Sequence, residues 1–235
     1  PLEAVDKAGR KEALLVLAGN YPDSKVELSD EFYKILSEKE LRAYIEFPSR
    51  LPGTETGSIK KANAERAVVN SGFFTEGPDS LGILSVNGLH YLDIDSGNGK
   101  THIVAAKVAG FDSAIFGLPE RNMPLLVELD DHPVLVSATN FSRFVSGRYA
   151  PEEEWSAIWK QILQFVEPGL QFESFDWQPV VRPSFSADEA LPDDVRLRAL
   201  NRGIEWYKNA RMLIPVSWED TLNSLVESGI QKIKY

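Results

Sequence analysis

The chain opens with a strand, a helix and a second strand, and this order constrains the fold more than any other feature of the sequence. Residues 12–18 (EALLVLA) form a continuous apolar run, which is typical of a strand covered on both faces. Ser29 is a suitable helix N-cap, and apolar residues at helical spacing follow it. Residues 41–47 (LRAYIEF) predict the next strand. Because a parallel strand pair needs a long crossover, this order favours a parallel βαβ unit.

Later segments extend the predicted α/β architecture. Residues 125–129 and 134–139 flank Asp-Asp-His-Pro and predict an antiparallel hairpin. Residues 152–166 predict the clearest helix, with Pro151 in its first turn and an apolar stripe along one side. Residues 60–69 predict a short helix. Further short strands are predicted at 81–86, 91–94, 102–108 and 113–116. We therefore expect a three-layer α/β sandwich with a mostly parallel sheet.

Four segments of the chain resemble a known family. They are LLVLAGNYPD, AYIEFPSRLPG, HIVAAKVAGFDSAIFGLPE and PVLVSATNFSRFVSGRYAPEEEWSAIWKQIL. Over residues 12–168 they look like a class I glutamine-amidotransferase-like domain, a family that includes the trehalose-utilisation (ThuA-like) proteins. The resemblance implies a flavodoxin-like fold. It also implies a place at the front of large bacterial carbohydrate-active proteins, which favours a periplasmic or secreted location.

The C-terminal segment carries a second resemblance. Residues 199–220 (ALNRGIEWYKNARMLIPVSWED) look like the opening of a six-hairpin glycosidase-like toroid. We therefore expect an amidotransferase-like domain at 1–169, an extended linker at 170–187, and a helical tail at 188–235 that begins a larger helical module. The resemblance implies that the catalytic part of such a toroid lies outside this chain.

Charge and composition disfavour several function classes. The formal net charge is −10, which disfavours nucleic acid and anionic membranes as partners, because both are bound through basic patches. No apolar run approaches the ~18 residues of a membrane-spanning helix. The chain has no cysteine, which removes thiol catalysis, thiolate metal sites and disulfides.

The catalytic groups of the family have no counterpart in the sequence. Working amidotransferases of this class use a nucleophilic cysteine and a His–Glu pair after the last strand, whereas residues 134–139 are followed by NFSR. A serine nucleophile would be expected in Gly-x-Ser-x-Gly. Residues 95–99 only approach that pattern and indicate a turn. No nucleotide-binding glycine motif follows a strand, and no cofactor is expected.

Carboxylates near the predicted strand ends are the alternative source of chemistry. Glu46 lies near the carboxyl end of the second strand, where open α/β sheets bind ligands. A glycosidase needs a second carboxylate about 5–10 Å away, and the candidates are Asp93, Asp95 and Glu128. Glu46, His90 and Asp93 are thus the candidate catalytic set. The other role open to Glu46 is that of a structural hydrogen-bond acceptor for a nearby loop.

Three histidines occur without a known metal-binding motif. His90, Asp93 and Asp95 follow a His-x-x-Asp-x-Asp spacing, which can place both carboxylates on one strand face, or can simply mark a polar strand edge. His132 falls in the predicted hairpin turn and is expected to be solvated. No metal site is predicted.

Ligand binding is predicted at the loops that border the carboxyl edge of the sheet. The candidate residues are Asn20, Glu46, Arg143, Arg148 and Tyr149. The two arginines suit a carboxylate or an acidic sugar, and their alternative role is an ion pair with the glutamates at 152–154. Tryptophans of the tail suit sugar stacking or packing on a neighbouring module.

These observations favour a non-catalytic accessory or scaffold module of a bacterial carbohydrate-processing protein. Its expected partners are a weakly bound carbohydrate ligand and a further domain of the same protein. The alternative is a small hydrolase or glycosidase that uses carboxylates near Glu46 and Asp93.

Overall fold

A computed structural model describes residues 1–84, 89–95, 97, 99–110, 112–142, 152–172 and 175. The helices of this part are α1 (Leu2–Lys7), α2 (Asp30–Glu38) and α3 (Glu152–Val166). The strands are β1 (Ala13–Val16), β2 (Arg42–Glu46), β3 (Arg50–Leu51), β4 (Thr54–Glu55), β5 (Ile59–Lys61), β6 (Arg66–Val69), β7 (Ile83–Leu84), β8 (His90–Leu92), β9 (Lys100–Ala106), β10 (Met123–Glu128) and β11 (Val134–Ser137). The expected linker beyond Phe175 and the expected tail at 188–235 lie outside the described residues.

Two sequence signals for helices are confirmed. The Ser29 hydroxyl accepts the backbone N–H of Phe32 at 3.2 Å and caps α2. The bounds of α3 are those predicted from its apolar stripe. Trp155 and Ile158 of that stripe are fully buried, and the Trp159 ring packs on Tyr44 of β2 with the ring centroids 5.3 Å apart.

Seven strands form the main sheet in the order β1-β2-β11-β10-β9-β6-β7. The β1–β2 and β2–β11 pairs are parallel. The β11–β10, β10–β9, β9–β6 and β6–β7 pairs are antiparallel. Two small antiparallel ladders, β3–β4 and β5–β8, lie outside this sheet.

The expected flavodoxin-like three-layer sandwich with a mostly parallel sheet is wrong. The sheet is mixed, mostly antiparallel and strongly curled, and it has little helix to cover it. Among the described residues between 47 and 142 there is no helix. The successive strands of that region are therefore joined by loops rather than by helical crossovers, and such connections favour antiparallel neighbours.

The second half of β9 is buried on both faces, although both of its neighbours in the sheet are antiparallel to it. Side chains alternate across a strand, and Ile103 and Ala105 of β9 join the main core. Val104 and Ala106 join a second, smaller cluster with Val68 and Ala114. Because a loop covers this second face, residues 103–106 of β9 are apolar on both faces, and that pattern is normally a sign of a parallel strand.

Two predicted elements of the middle region are also wrong. Residues 60–69 form parts of β5 and β6 instead of a helix. Residues 113–116 form a turn with one isolated bridge, between Gly82 and Ser113. The covering loop displays Ile115 and Phe116, which are 65% and 86% exposed, so an apolar pair that suggested a strand belongs to a surface turn.

An engineered disulfide tests the antiparallel register of β6 and β9. Ala67 and Ala105 are directly paired and buried, so the double variant Ala67→Cys/Ala105→Cys is expected to crosslink on oxidation. The native chain has no cysteine, so any disulfide is the engineered one. The measurement is non-reducing peptide mapping by mass spectrometry.

The matched control is Ala67→Cys/Ala106→Cys. Ala106 is the next residue on β9 and belongs to the cluster on the opposite face, so this pair is expected to remain reduced. Equal crosslinking of both pairs would contradict the register.

Candidate functional site

The carboxyl ends of three parallel strands meet at one edge of the sheet, and Glu46 lies at their centre. Glu46 is the last residue of β2, which lies between β1 and β11. Its side chain is fully buried. Ala18 follows β1 and Asn140 follows β11, and both are buried beside it. The expected position of Glu46 at a ligand-binding edge is therefore found, but its carboxylate does not face solvent.

Four hydrogen bonds occupy the Glu46 carboxylate. Oε1 accepts from the Tyr44 hydroxyl at 2.9 Å and from the backbone N–H of Ser142 at 2.7 Å. Oε2 accepts from the backbone N–H of Ala18 at 3.1 Å and from the Ser142 hydroxyl at 2.8 Å. Each oxygen thus receives two donors, which is the capacity of its lone pairs. The structure favours the role of a structural acceptor over that of a catalytic acid or base.

Burial and hydrogen bonding shift the pKa of Glu46 in opposite directions. Removal from water raises the pKa of the carboxyl group, and the hydrogen bonds from Ala18, Ser142 and Tyr44 partly offset this rise. A buried carboxylate without such donors would be far costlier. The donors therefore make the charged form tolerable at this edge.

Asn140 and Trp159 fix the loop that carries the Ser142 donors. The Asn140 side chain donates to the carbonyl oxygen of Ala18 at 3.2 Å, and its own oxygen lies 3.0 Å from the Ser142 hydroxyl. The Trp159 indole of α3 donates to the carbonyl oxygen of Phe141 at 3.2 Å. Asn140 and Ser142 were missed as site residues, although their place directly after a strand next to β2 is the signal that could have found them.

His90 is held at the same edge through its backbone. The Tyr21 hydroxyl donates to the His90 carbonyl at 2.9 Å, and the His90 N–H donates to that hydroxyl at 2.7 Å. The Thr139 hydroxyl also donates to the His90 carbonyl, at 2.8 Å. Burial raises the pKa of the Tyr21 phenol, so this residue acts here as a neutral crosslink.

The candidate partners of Glu46 lie in other networks. Asp93 binds Lys60, and Asp95 accepts from the Gly97 N–H in a turn. Glu128 ends β10, which is antiparallel to β11, so it lies at the opposite edge of the sheet. Among the described residues, no hydrogen bond or ion pair joins Glu46 to any of these carboxylates.

The predicted ligand-binding residues are only partly described. Asn20 is exposed in the turn after β1, where its carbonyl oxygen accepts from the N–H groups of Asp23 and Ser24 at 2.8 and 3.1 Å. Arg143, Arg148 and Tyr149 lie outside the described residues.

A second polar cluster joins Ser71, His102 and Glu128. His102 of β9 is fully buried. Its Nδ1 lies 2.7 Å from the Ser71 hydroxyl, and its Nε2 lies 3.0 Å from a carboxylate oxygen of Glu128. Burial lowers the pKa of His102, and the neighbouring Glu128 carboxylate opposes that shift. No sequence pattern predicts this cluster, because its members come from three elements that only the antiparallel sheet brings together.

A shallow pocket of about 250 Å³ lies at the edge of the sheet opposite Glu46. Its lining includes Glu128, Asp131, His132 and Phe165. Arg42 covers part of it, since its guanidinium lies 4.6 Å from the centroid of the Phe165 ring. His132 thus borders this pocket in the β10–β11 turn. No group of three or more His, Asp or Glu residues in the described part of the chain could hold a metal ion.

Comparison of the chain with protein-family models, with curated proteins and with solved structures finds no match. Among the described residues, no helix is long and apolar enough to cross a membrane.

Removing the Glu46 side chain tests its structural role. Glu46→Ala leaves buried donors on Tyr44, Ala18 and Ser142 without an acceptor, each costing about 1–3 kcal/mol. The free energy of unfolding is expected to fall by at least about 3 kcal/mol in urea titrations. The matched control is Glu55→Ala, because Glu55 is exposed and should change stability by less than about 0.5 kcal/mol. Equal stability of the two variants would refute the structural role.

The lowered pKa of His102 predicts a loss of stability in mild acid. The unfolded chain takes up a proton near the ordinary pKa of 6.5, whereas the folded chain resists it. Stability is therefore retained above that pH and lost as the pH falls below it, at up to about 1.4 kcal/mol per pH unit. Urea titrations at several pH values between 5 and 8 measure this slope.

Glu46 has the opposite effect, because a raised carboxyl pKa removes stability as the pH rises above 4.5. The comparison must therefore be made against His102→Gln, in which the contribution of Glu46 is unchanged. The wild-type chain is expected to lose more stability on acidification than this variant. Identical slopes would show that His102 does not resist protonation.

Proposed function

We propose that this chain is an accessory and scaffold module of a bacterial carbohydrate-processing protein. We further propose that it performs no catalysis at the edge where the parallel strands β1, β2 and β11 end. The observation that carries the proposal is the saturated carboxylate of Glu46. A catalytic carboxylate must exchange protons with a substrate or attack it, and it needs a free lone pair to do so. All four acceptor positions of Glu46 are taken by the protein itself.

Part of the resemblance to amidotransferase-like domains supports the same proposal, although the flavodoxin-like fold that it implied is not found. Three of the four resembling segments fall on the parallel strands β1, β2 and β11 and on α3, which is where the Glu46 network lies. Those strand ends carry Thr139, Asn140 and Ser142, and the chain contains no cysteine. The polar side chains at these strand ends form hydrogen bonds with one another and with Glu46. Such a closed network suits a structural role rather than a catalytic one.

The alternative of a glycosidase at Glu46, His90 and Asp93 has less support. Asp93 is paired with Lys60, and Tyr21 and Thr139 bind only the backbone carbonyl of His90. A glycosidase needs two carboxylates that converge on one cleft. The shallow pocket lined by Glu128 lies at the other edge of the sheet.

Weak glycan binding remains part of the proposal at the exposed turn of Asn20. An exposed amide can exchange hydrogen bonds with sugar hydroxyls, at a net gain of about 1 kcal/mol per bond. A glycan array followed by affinity electrophoresis is expected to detect retention with a dissociation constant of about millimolar. Asn20→Ala should weaken it several-fold, whereas Asn63→Ala, which changes an exposed amide elsewhere, should not.

Hydrolysis of p-nitrophenyl glycosides separates the two functions. The wild-type chain is expected to release no more p-nitrophenol than a buffer blank. Asp93→Asn is the informative variant, because Asp93 is partly exposed and its replacement should leave the fold intact. Release by the wild type that disappears in folded Asp93→Asn and Glu46→Gln chains would overturn the accessory role at this edge.

A further inference from the structure

Ser71, His102 and Glu128 have the arrangement of a nucleophile, a base and a residue that orients the base. We propose that they form a hydrolytic site for short-chain carboxylic esters, with Ser71 as the nucleophile. The inference goes beyond the accessory role, because it concerns a different edge of the sheet and shares no residue with the Glu46 network. It rests on the geometry of the three side chains and on access to Ser71.

Three separate elements bring the side chains together. Ser71 lies in the loop after β6, His102 lies in β9, and Glu128 ends β10. β9 lies between β6 and β10, so the imidazole bridges its two neighbours. The Ser71 hydroxyl is 2.7 Å from Nδ1, and the Glu128 carboxylate is 3.0 Å from Nε2. Both distances are within the reach required of a nucleophile–base–carboxylate relay.

The carboxylate fixes the direction of the hydrogen bonds. An ionised Glu128 can only accept, so Nε2 carries the proton of the neutral imidazole and donates it. Nδ1 then presents a lone pair, and the Ser71 hydroxyl donates to it. This is the polarity that lets an imidazole take the proton of a serine. The two ring nitrogens have exchanged the roles that they have in the common serine proteases.

Phe73 holds the imidazole in this orientation. Its ring stacks on that of His102 with the centroids 4.0 Å apart and an interplanar angle of 21°. The same loop is tied to α3, because the Thr75 hydroxyl donates to Gln161 at 3.1 Å. A catalytic base that is buried, stacked and anchored cannot rotate away from its nucleophile, which is the preorganisation that such a site needs.

Ser71 is accessible although His102 is not. Ser71 is half-buried, and Gly72 beside it is exposed. A Cβ placed on Gly72 would meet no atom within 4 Å, so the backbone next to Ser71 faces open space. Within the described part of the chain, the Gly72 N–H has no hydrogen-bond partner. The amide of the residue after the nucleophile is a common oxyanion donor in serine hydrolases.

The reaction balances without a cofactor. Ser71 Oγ attacks the ester carbonyl carbon and gives its proton to His102 Nδ1, which forms a tetrahedral oxyanion and an imidazolium beside Glu128. The bond to the leaving alkoxide breaks, and the alkoxide takes that proton and departs as the alcohol. Water then attacks the acyl-serine in the same way, passes a proton through Nδ1, and releases the carboxylic acid with Ser71 restored. Gly72 beside the nucleophile is exposed, so a small ester can approach Ser71 from solvent.

Labelling with a fluorophosphonate tests the nucleophile in the native chain. The wild-type protein is expected to react at Ser71, as located by peptide mass spectrometry, and to hydrolyse p-nitrophenyl acetate. Ser71→Ala should lose the label and at least about 100-fold in kcat/KM. Ser80→Ala, which removes an exposed serine of the same loop region, should keep both. No label on Ser71 of the folded wild-type chain would overturn the proposal, whether or not Ser71→Ala folds.

Two further readouts distinguish chemistry from a structural role. Glu128→Gln should lower kcat with little change in KM, because Glu128 is a positioning residue that acts through the base. The wild-type kcat/KM should fall only at a pH below 6.5, because burial lowers the pKa of His102 and delays its protonation. A rate that changes neither in Glu128→Gln nor on acidification would contradict the proposed roles of Glu128 and His102. Failure of this site would leave the accessory proposal untouched, because that proposal is tested at Glu46 and Asp93.

Discussion

The buried carboxylate of Glu46 is the interaction on which the parallel part of this fold depends. Its oxygens accept hydrogen bonds from residues that follow β1 and β11. One side chain therefore joins the ends of three strands that are far apart in sequence. Burial makes the charge costly, and four donors make it tolerable. The four hydrogen bonds from Ala18, Tyr44 and Ser142 leave the carboxylate no free acceptor position, and the proposal that this edge carries no chemistry rests on that count.

Local sequence patterns correctly predicted helices that bury one face and expose the other to solvent. The Ser29 cap and the apolar stripe of α3 are signals of this kind, and both are confirmed. The direction of strand pairing is different, because it depends on the connections between strands. Residues 103–106 of β9 are apolar on both faces, since the loop that carries Ala114 covers the second face. The parallel sandwich was expected from the opening strand–helix–strand order and from the family resemblance, and it is wrong because the later strands are joined by loops.

Only the part of the site that lies at the ends of the parallel strands could be predicted from the sequence. Glu46 could be found from its place at a strand end, and Ser142 follows once β11 is known to lie beside β2. The cluster of Ser71, His102 and Glu128 could not be predicted, because its residues share no spacing and meet only across antiparallel neighbours. No sequence motif indicates such a cluster, and the proposed role of its residues rests on distances and burial alone.

Native-state hydrogen exchange tests the central claim most directly. The backbone N–H groups of Ala18 and Ser142 both follow strands and lie in loops, where amides usually exchange quickly. Because both donate to the buried Glu46 carboxylate, we expect them to exchange as slowly as the core amides of β2, and to lose that protection together in Glu46→Ala. Fast exchange of these two amides in the wild-type chain would show that Glu46 is free, and the account of a closed carboxyl edge would be wrong.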